Sequence, residues 1–326
     1  MRISVTPLIQ IVAAMGLLGG IAATAADEPA YPTKAVKIIV PFAPGGGADF
    51  FGRVLAEKLA VRLGQSFVID NRGGAGGAVG TEVAAKAAPD GYTLVFVSNG
   101  YSVSPAVSKV SYDPLKDLVP IVRVVDTSMV VATHPSVPAT DLKGLVAYAK
   151  EHPGKLSFGS SGVGGIAHLA TEEFLLSAGV KMVHVPYKGT GPANTALIGG
   201  EIQVNVGDIG AIMQMIRAGR VKALALGSQS RSKLLPTVPS AAESGFPDSK
   251  FGIWYGLLAP RGTPDSIIRR LNREVNAVLA TSEINETFTA RFAAPAGGSS
   301  EEFANNIKAD FEFWKRFSER TGLKVE

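Results

Sequence analysis

Four glycine-rich turns carry the residues best placed for chemistry: Ala43-Pro44-Gly45-Gly46-Gly47-Ala48-Asp49, Gly73-Gly74-Ala75-Gly76-Gly77-Ala78, Gly159-Ser160-Ser161-Gly162-Val163-Gly164-Gly165 and Tyr187-Lys188-Gly189-Thr190-Gly191-Pro192. Each follows an apolar strand and feeds a helical stretch. The first N–H groups of such a helix have no intrahelical acceptor, and its dipole favours negative charge. Glycine also lets the backbone approach a ligand closely. The chemistry on offer is therefore anion binding. A purely structural use, tight turning and helix–sheet packing, is the competing reading for any one turn.

The first turn supplies Phe42, Ala43, Gly45, Gly46, Gly47 and Asp49 as candidate ligand contacts, and the third supplies Ser160, Ser161, Gly162, Gly164 and His168. Tyr187 and Asp208, after two later strands, complete the set. Gly46 is the expected point of close approach, where a bulky residue blocks the ligand and a positive φ is penalised. Asp49 reads as the N-cap of the helix that follows it, in preference to a catalytic acid. His168 either lines the cleft or makes a structural hydrogen bond. Lys188 is placed to meet a carboxylate, although a lysine after a strand is usually solvated.

Enzymatic signals are weaker. Gly159-Ser160-Ser161-Gly162-Val163 nearly spells the nucleophile elbow G-x-S-x-G, but Val163 stands where the last glycine belongs. A secreted α/β hydrolase using Ser161 is the alternative function. No turn spells G-x-G-x-x-G or a Walker A sequence, so no nucleotide cofactor is expected. His134, His152, His168 and His184 do not fall at H-x3-H spacing, and no metal is expected.

One anion held by one turn is a weak prospect. Micromolar capture needs about −8 kcal/mol, whereas a helix dipole gives roughly 0.3–1 and a charge-assisted hydrogen bond roughly 1.5–3. One turn does not suffice against the cost of association, whereas two turns that close on one anion and exclude water could be enough.

The elements that position these turns repeat. Lys37–Phe42 reads as a buried strand, Phe50–Leu63 as a helix stopped by Gly64, Phe67–Asp70 as a strand, then a helix to about Ala88 and a strand over Tyr92–Val97. Later come strand Lys155–Phe158, helix Ile166–Ala178, strand Lys181–Pro186, another helix and strand Ile202–Val206. Both blocks read strand, glycine turn, helix, strand, glycine turn, helix, strand, which implies right-handed βαβ units and parallel sheets. Val130–Pro135 followed by Pro138, and Leu257–Pro260 followed by Pro264, form a second echo near the crossings between lobes. The expected fold is α/β and two-lobed, each lobe a parallel-rich sheet flanked by helices. Lobe one takes residues 27–126 plus 226–326 and lobe two 127–225. A helix over Ser300–Arg320 packs back through Phe303, Ile307, Phe311, Trp314 and Phe317.

Residues 1–26 read as a signal peptide. Arg2 is the only charge before Asp27, an apolar run spans about Leu8–Ala23, and Ala23-Thr24-Ala25 places small residues at −3 and −1. Cleavage falls after Ala25 or Ala26, and the mature protein enters the periplasm. An uncleaved anchor is the rival reading, but the run is glycine-interrupted and falls short of the ~20 apolar residues of a span. There is no cysteine, which excludes disulfides, thiol catalysis and a lipid anchor on an N-terminal cysteine. The net charge of +4 falls to +3 without Arg2 and shows no basic block, so no nucleic-acid partner is expected.

The chain resembles the Bug family, the solute receptors of tripartite tricarboxylate transporters. The matching stretches are PFAPGGGAD at 41–49, DNRGGAGGAVGTEVAAKAAPDGYTL at 70–94, FGSSGVGGIAHLATE at 158–172, HVPYKGTGPA at 184–193, LPTVPSAAESGFP at 235–247 and GLLAPRGTP at 256–264. They cover the mature chain in order; Ser240 and Ser244 depart from the pattern outside the presumed anion loops. The resemblance implies a two-lobed periplasmic binding protein, a Venus flytrap of the type II-like class, that delivers a small carboxylate to membrane permease subunits; a monomer is expected. It also implies that the turns at 42–49 and 159–168 hold that carboxylate through backbone N–H groups and ordered water.

Overall fold

The computed structural model describes Met1 and residues 31–228, 231–247, 249 and 251–325. The signal peptide reading of 1–26 lies, Met1 apart, outside the described residues. Pro32–Glu326 forms one compact unit.

The first block folds as β1 (Val36–Val40), α1 (Gly47–Leu63), β2 (Phe67–Asn71), α2 (Ala78–Ala85) and β3 (Thr93–Ser98). After α3 (Gly100–Val107), β4 (Leu118–Thr133) and α4 (Leu142–Glu151), the order repeats as β5 (Ser157–Ser160), α5 (Ile166–Ala178), β6 (Val183–Pro186), α6 (Thr190–Gly199) and β7 (Val204–Asp208). The chain ends through α7 (Ile209–Arg217), β8 (Lys222–Leu226), β9 (Gly252–Pro260), α8 (Asp265–Leu279), α9 (Ser282–Thr289), β10 (Ala293–Gly297) and α10 (Ser300–Thr321).

Several boundaries differ from the sequence reading. α1 starts at Gly47, three residues before Phe50, because Gly47–Asp49 already form its first turn. α2 ends at Ala85, not near Ala88. β5 runs to Ser160 and β7 to Asp208, so both enter segments read as turn or left unassigned. α10 matches to one residue, with Phe311 only half-buried.

The strand order β2-β1-β3-β9-β4-β7-β5-β6 shows the duplication. β1 lies between β2 and β3, and β5 between β6 and β7, all parallel. The expected parallel sheets stop there. β9 pairs antiparallel with β3 and β4, and β7, β8 and β10 pair antiparallel with β4. A strand that returns without a crossover helix runs antiparallel, with straight hydrogen bonds. The 16-residue β4 joins the two blocks: Leu118–Ser128 pairs with β9, and Met129–Thr133 with β7.

Helices cover the sheet with apolar faces at helical spacing. α1 buries Phe51, Leu55 and Leu59, and the Phe51 ring meets Phe288 edge-on at 5.0 Å and Tyr255 at 5.7 Å. Gly64, at φ 67°, closes α1 in the left-handed conformation that glycine takes without strain. α10 begins with a Ser299–Glu302 capping box and buries Phe303, Ile307, Trp314 and Phe317. Phe303 packs edge-on against Trp254, whose indole donates to Asp310 at 2.7 Å. A Cβ on Gly256 would stand 2.2 Å from the Phe303 ring, so the sheet admits that ring only where a side chain is missing. Burying one such phenylalanine contributes about 1.5–3 kcal/mol.

Candidate functional site

The first glycine turn is held in shape by Asp49. Its carboxylate accepts from the Gly45 N–H (3.1 Å), Arg53 Nε (2.9 Å) and Asn71 Nδ2 (3.0 Å), while Asn71 also donates to the Phe42 carbonyl (3.0 Å). Burial works against the charge, but these donors prevail and hold the Asp49 carboxyl below the usual carboxylate range. Asp49 is not the N-cap. Gly46 occupies that position, and Asp49 sits in the first helical turn, reaching back to the loop. Gly46 is also extended, φ −91°, so no positive φ penalises a substitution there, and a Cβ would meet Thr190 at an ordinary 3.5 Å. The tight point is Gly47, whose added Cβ would lie 2.7 Å from both Asp208 Oδ2 and the Tyr255 hydroxyl.

The turn at 159–165 is closed by its own side chains. Ser160 Oγ accepts from the Gly162 N–H (3.1 Å) and lies 2.7 Å from His184 Nε2. The Gly164 N–H donates to His168 Nδ1 (3.1 Å) and the Gly165 N–H to the Gly162 carbonyl (3.1 Å). His168 thus makes the structural hydrogen bond, buried and stacked on His184. Burial, helped by repulsion from His168, pushes the His184 imidazole down to about 3, so this ring is neutral at pH 7. The histidine-bonded serine is the buried Ser160. Ser161, the elbow residue, has no hydrogen bond to a histidine among the described residues.

The turns meet. Ala43 N–H donates to the Lys188 carbonyl at 2.9 Å, and Ser104 of α3 donates to the Gly164 carbonyl. A Cβ on Gly76 would fall 2.5 Å from the Gly165 nitrogen and the Val163 oxygen, so backbone lies against backbone. Beneath this contact is a cavity of about 20 Å³, room for roughly one water. It is lined by Phe42 and the first turn of α1 (Gly47, Ala48), by Ser161 and the first turn of α5 (Ile166, Ala167), and by Gly46, Ser98, Thr190, Gly207, Asp208, Ile253 and Tyr255. Two helix N-termini from the two repeated blocks therefore converge on one space.

Of the residues read from sequence, Phe42, Gly46, Gly47, Ser161 and Asp208 line this cavity. Ala43, Gly45, Asp49, Ser160, Gly164 and His168 do not line it. Gly162, Tyr187 and Lys188 line a separate open hollow of about 940 Å³ with Lys109 and Lys324. Tyr255 and Ser98 went unread: both end or occupy strands whose apolar pattern signals only burial. Asp208 is buried at 1% exposure; its Oδ1 caps α7 by accepting from the Ala211 N–H (3.1 Å). Burial pushes its carboxyl up to about 6, against the opposing pull of backbone donors, the Tyr255 hydroxyl at 3.4 Å and the Arg291 charge. Among the described residues no group of three or more His, Asp or Glu could hold a metal, and no helix is long and apolar enough to cross a membrane.

Duplicated blocks joined by antiparallel strands, with facing turns at the strand ends, define a two-lobed protein of the periplasmic binding protein class. The chain belongs to the tripartite tricarboxylate transporter receptor family: the family profile, "Tripartite tricarboxylate transporter family receptor", matches residues 51–323. It is 36% identical to Protein BugT of Bordetella pertussis over 326 residues, 99% of this chain and 100% of that protein. The structure of the periplasmic binding protein BugD superposes with a TM-score of 0.87 at 33% identity, over 90% of this chain and 99% of that one. MatC from Rhodopseudomonas palustris, with bound malate, superposes with 0.84 at 30% identity, over 88% and 99%.

Proposed function

We propose that this protein is a periplasmic solute-binding receptor that captures a small carboxylate between its lobes and delivers it to the membrane permease of a tripartite tricarboxylate-type transporter. The observation that carries the reading is the convergence of the α1 and α5 N-termini, one from each block, on a single cavity. The family membership and the malate bound to MatC support a carboxylate as the ligand. In this reading lobe one is 27–126 plus 226–326, lobe two is 127–225, and residues 1–26 are removed on export. The protein acts as a monomer and does no chemistry on its ligand; the hydrolase alternative is disfavoured because Ser161 has no histidine partner.

The ligand carboxylate takes the first-turn N–H groups of Gly47 and Ala48 on one side and of Ile166 and Ala167 on the other, with the Ser161 hydroxyl beside them. Gly162 and Gly164 are spent inside their own turn and do not donate. Fixed backbone dipoles hold an anion without a mobile cation.

A thermal-shift screen of the mature protein against a carboxylate library, followed by calorimetry, tests this. At least one acid should raise Tm, and Gly47→Ala should weaken its binding by more than tenfold, because the new Cβ collides with Asp208 across the lobes and presses on the Tyr255 hydroxyl within lobe one. Alanine suits the first turn of a helix, but the Tyr255 contact lies inside lobe one, so circular dichroism must show the variant folded before its affinity is read. No stabilising acid, or full affinity in Gly47→Ala, would overturn the reading.

A further inference from the structure

A carboxylate of the protein faces the cavity that is proposed to take a carboxylate from outside. Asp208 ends β7, and its two oxygens have different surroundings. Oδ1 is used by the α7 cap. Oδ2 points to the cavity side, where its hydrogen-bonding neighbour is the Tyr255 hydroxyl at a long 3.4 Å, and where the α1 N-terminus stands at Gly47. Arg291 makes no ion pair with it; its Nη1 donates to the Gly210 carbonyl at 3.2 Å and its guanidinium lies 3.7 Å over the Phe50 ring. Oδ2 is thus a buried acceptor with one weak donor, a costly state.

A ligand made only of carboxylates and hydrocarbon would bring a second negative charge beside Asp208 and no hydrogen to satisfy it. A ligand with a hydroxyl or ammonium next to its carboxylate does both tasks: the carboxylate goes to the helix N-termini, and the neighbouring O–H or N–H goes to Oδ2. We infer that Asp208, ordered by Tyr255, selects hydroxy- or amino-substituted carboxylic acids over their unsubstituted counterparts. This rests on the receptor reading above and names the ligand class within it.

Calorimetry at pH 7.5 on matched pairs tests it: malate and aspartate against succinate, lactate against propionate, mandelate against phenylacetate. In at least one pair the substituted acid should bind tenfold or more tighter than its counterpart. Asp208→Asn, which retains an N-cap residue, should reduce that ratio below threefold, and Tyr255→Phe should reduce it partly. Circular dichroism confirms that each variant is folded. Equal binding within every pair that binds, or a preference unchanged in folded Asp208→Asn, overturns the inference while leaving the receptor reading intact. Tight succinate binding with uptake of one proton, read from its dependence on buffer ionisation enthalpy, also overturns it, since Asp208 would then act as a donor. If the library's binders all lack a hydroxyl or amino group beside the carboxylate, the inference fails; if the library has no binder, the receptor reading fails first.

Discussion

The imidazole rings of His168 and His184 lie 3.8 Å apart, centroid to centroid, and 8° from parallel. Phe158 continues the stack at 4.8 Å from His184. Two of the ring nitrogens then grip the glycine turn, His168 at the Gly164 N–H and His184 at Ser160. The pair therefore fixes the loop that presents α5 to the cavity, and leaves the first turn of that helix as the available donor set.

That stack gives the protein an acid limit. His184 is neutral when folded down to about pH 3 but protonates near 6.5 when unfolded. The unfolded state binds the extra proton, so this contribution to stability is lost as pH falls from about 6.5 towards 3, at up to about 1.4 kcal/mol per unit. Urea titrations at pH 7 and 5 should show wild type losing on the order of 2 kcal/mol more than His184→Phe. Parallel losses would sink the idea.

Asp208 acts in the opposite direction. Burial raises its folded carboxyl from the ordinary 3.8 to about 6, so the folded state holds the proton longer. Stability is then lost as pH rises from about 3.8 to 6, by roughly 3 kcal/mol in all. Without ligand, Asp208→Asn should be more stable than wild type at pH 8 by on the order of 2–3 kcal/mol, with the difference gone by pH 4. A variant less stable than wild type at pH 8 would contradict the assignment.

Gly76 is the test of closure. It sits at φ +61°, and any Cβ would meet backbone atoms of Gly165 and Val163 that cannot swing aside. Gly76→Ala should cost about 1 kcal/mol of stability for the left-handed backbone. Its larger effect is on ligand affinity, expected to fall at least tenfold. Small-angle scattering with saturating ligand should show the variant more extended than wild type; identical profiles would place the closing contact elsewhere.

Much of this was legible in the residues. The duplicated order and the four turns follow from periodicity and glycine, and the donors on α1 and α5 follow from where those turns end. Asp49 was misplaced by three positions because a capping carboxylate can also reach back from within the first turn. The antiparallel middle of the sheet was hidden, since β4 and β9 read only as apolar runs, and strand direction is not written in hydropathy. Tyr255 was hidden for the same reason: inside GIWYGLLAP its hydroxyl is one polar atom in a buried strand, and only the fold brings it to Asp208.

β4 has a mechanical meaning. Its 16 residues, at about 3.3 Å each, make a rod of roughly 50 Å clamped by β9 along one part and by β7 and β8 along the other. The clamps change at Ser128–Met129, so a torque applied to one end has a single short stretch of that strand in which to relax. A twist of roughly 10° there swings an arm of about 25 Å through about 4 Å at its tip. If the lobes part by twisting at this stretch, a few degrees of backbone rotation would widen a space the size of one water enough to admit a small acid.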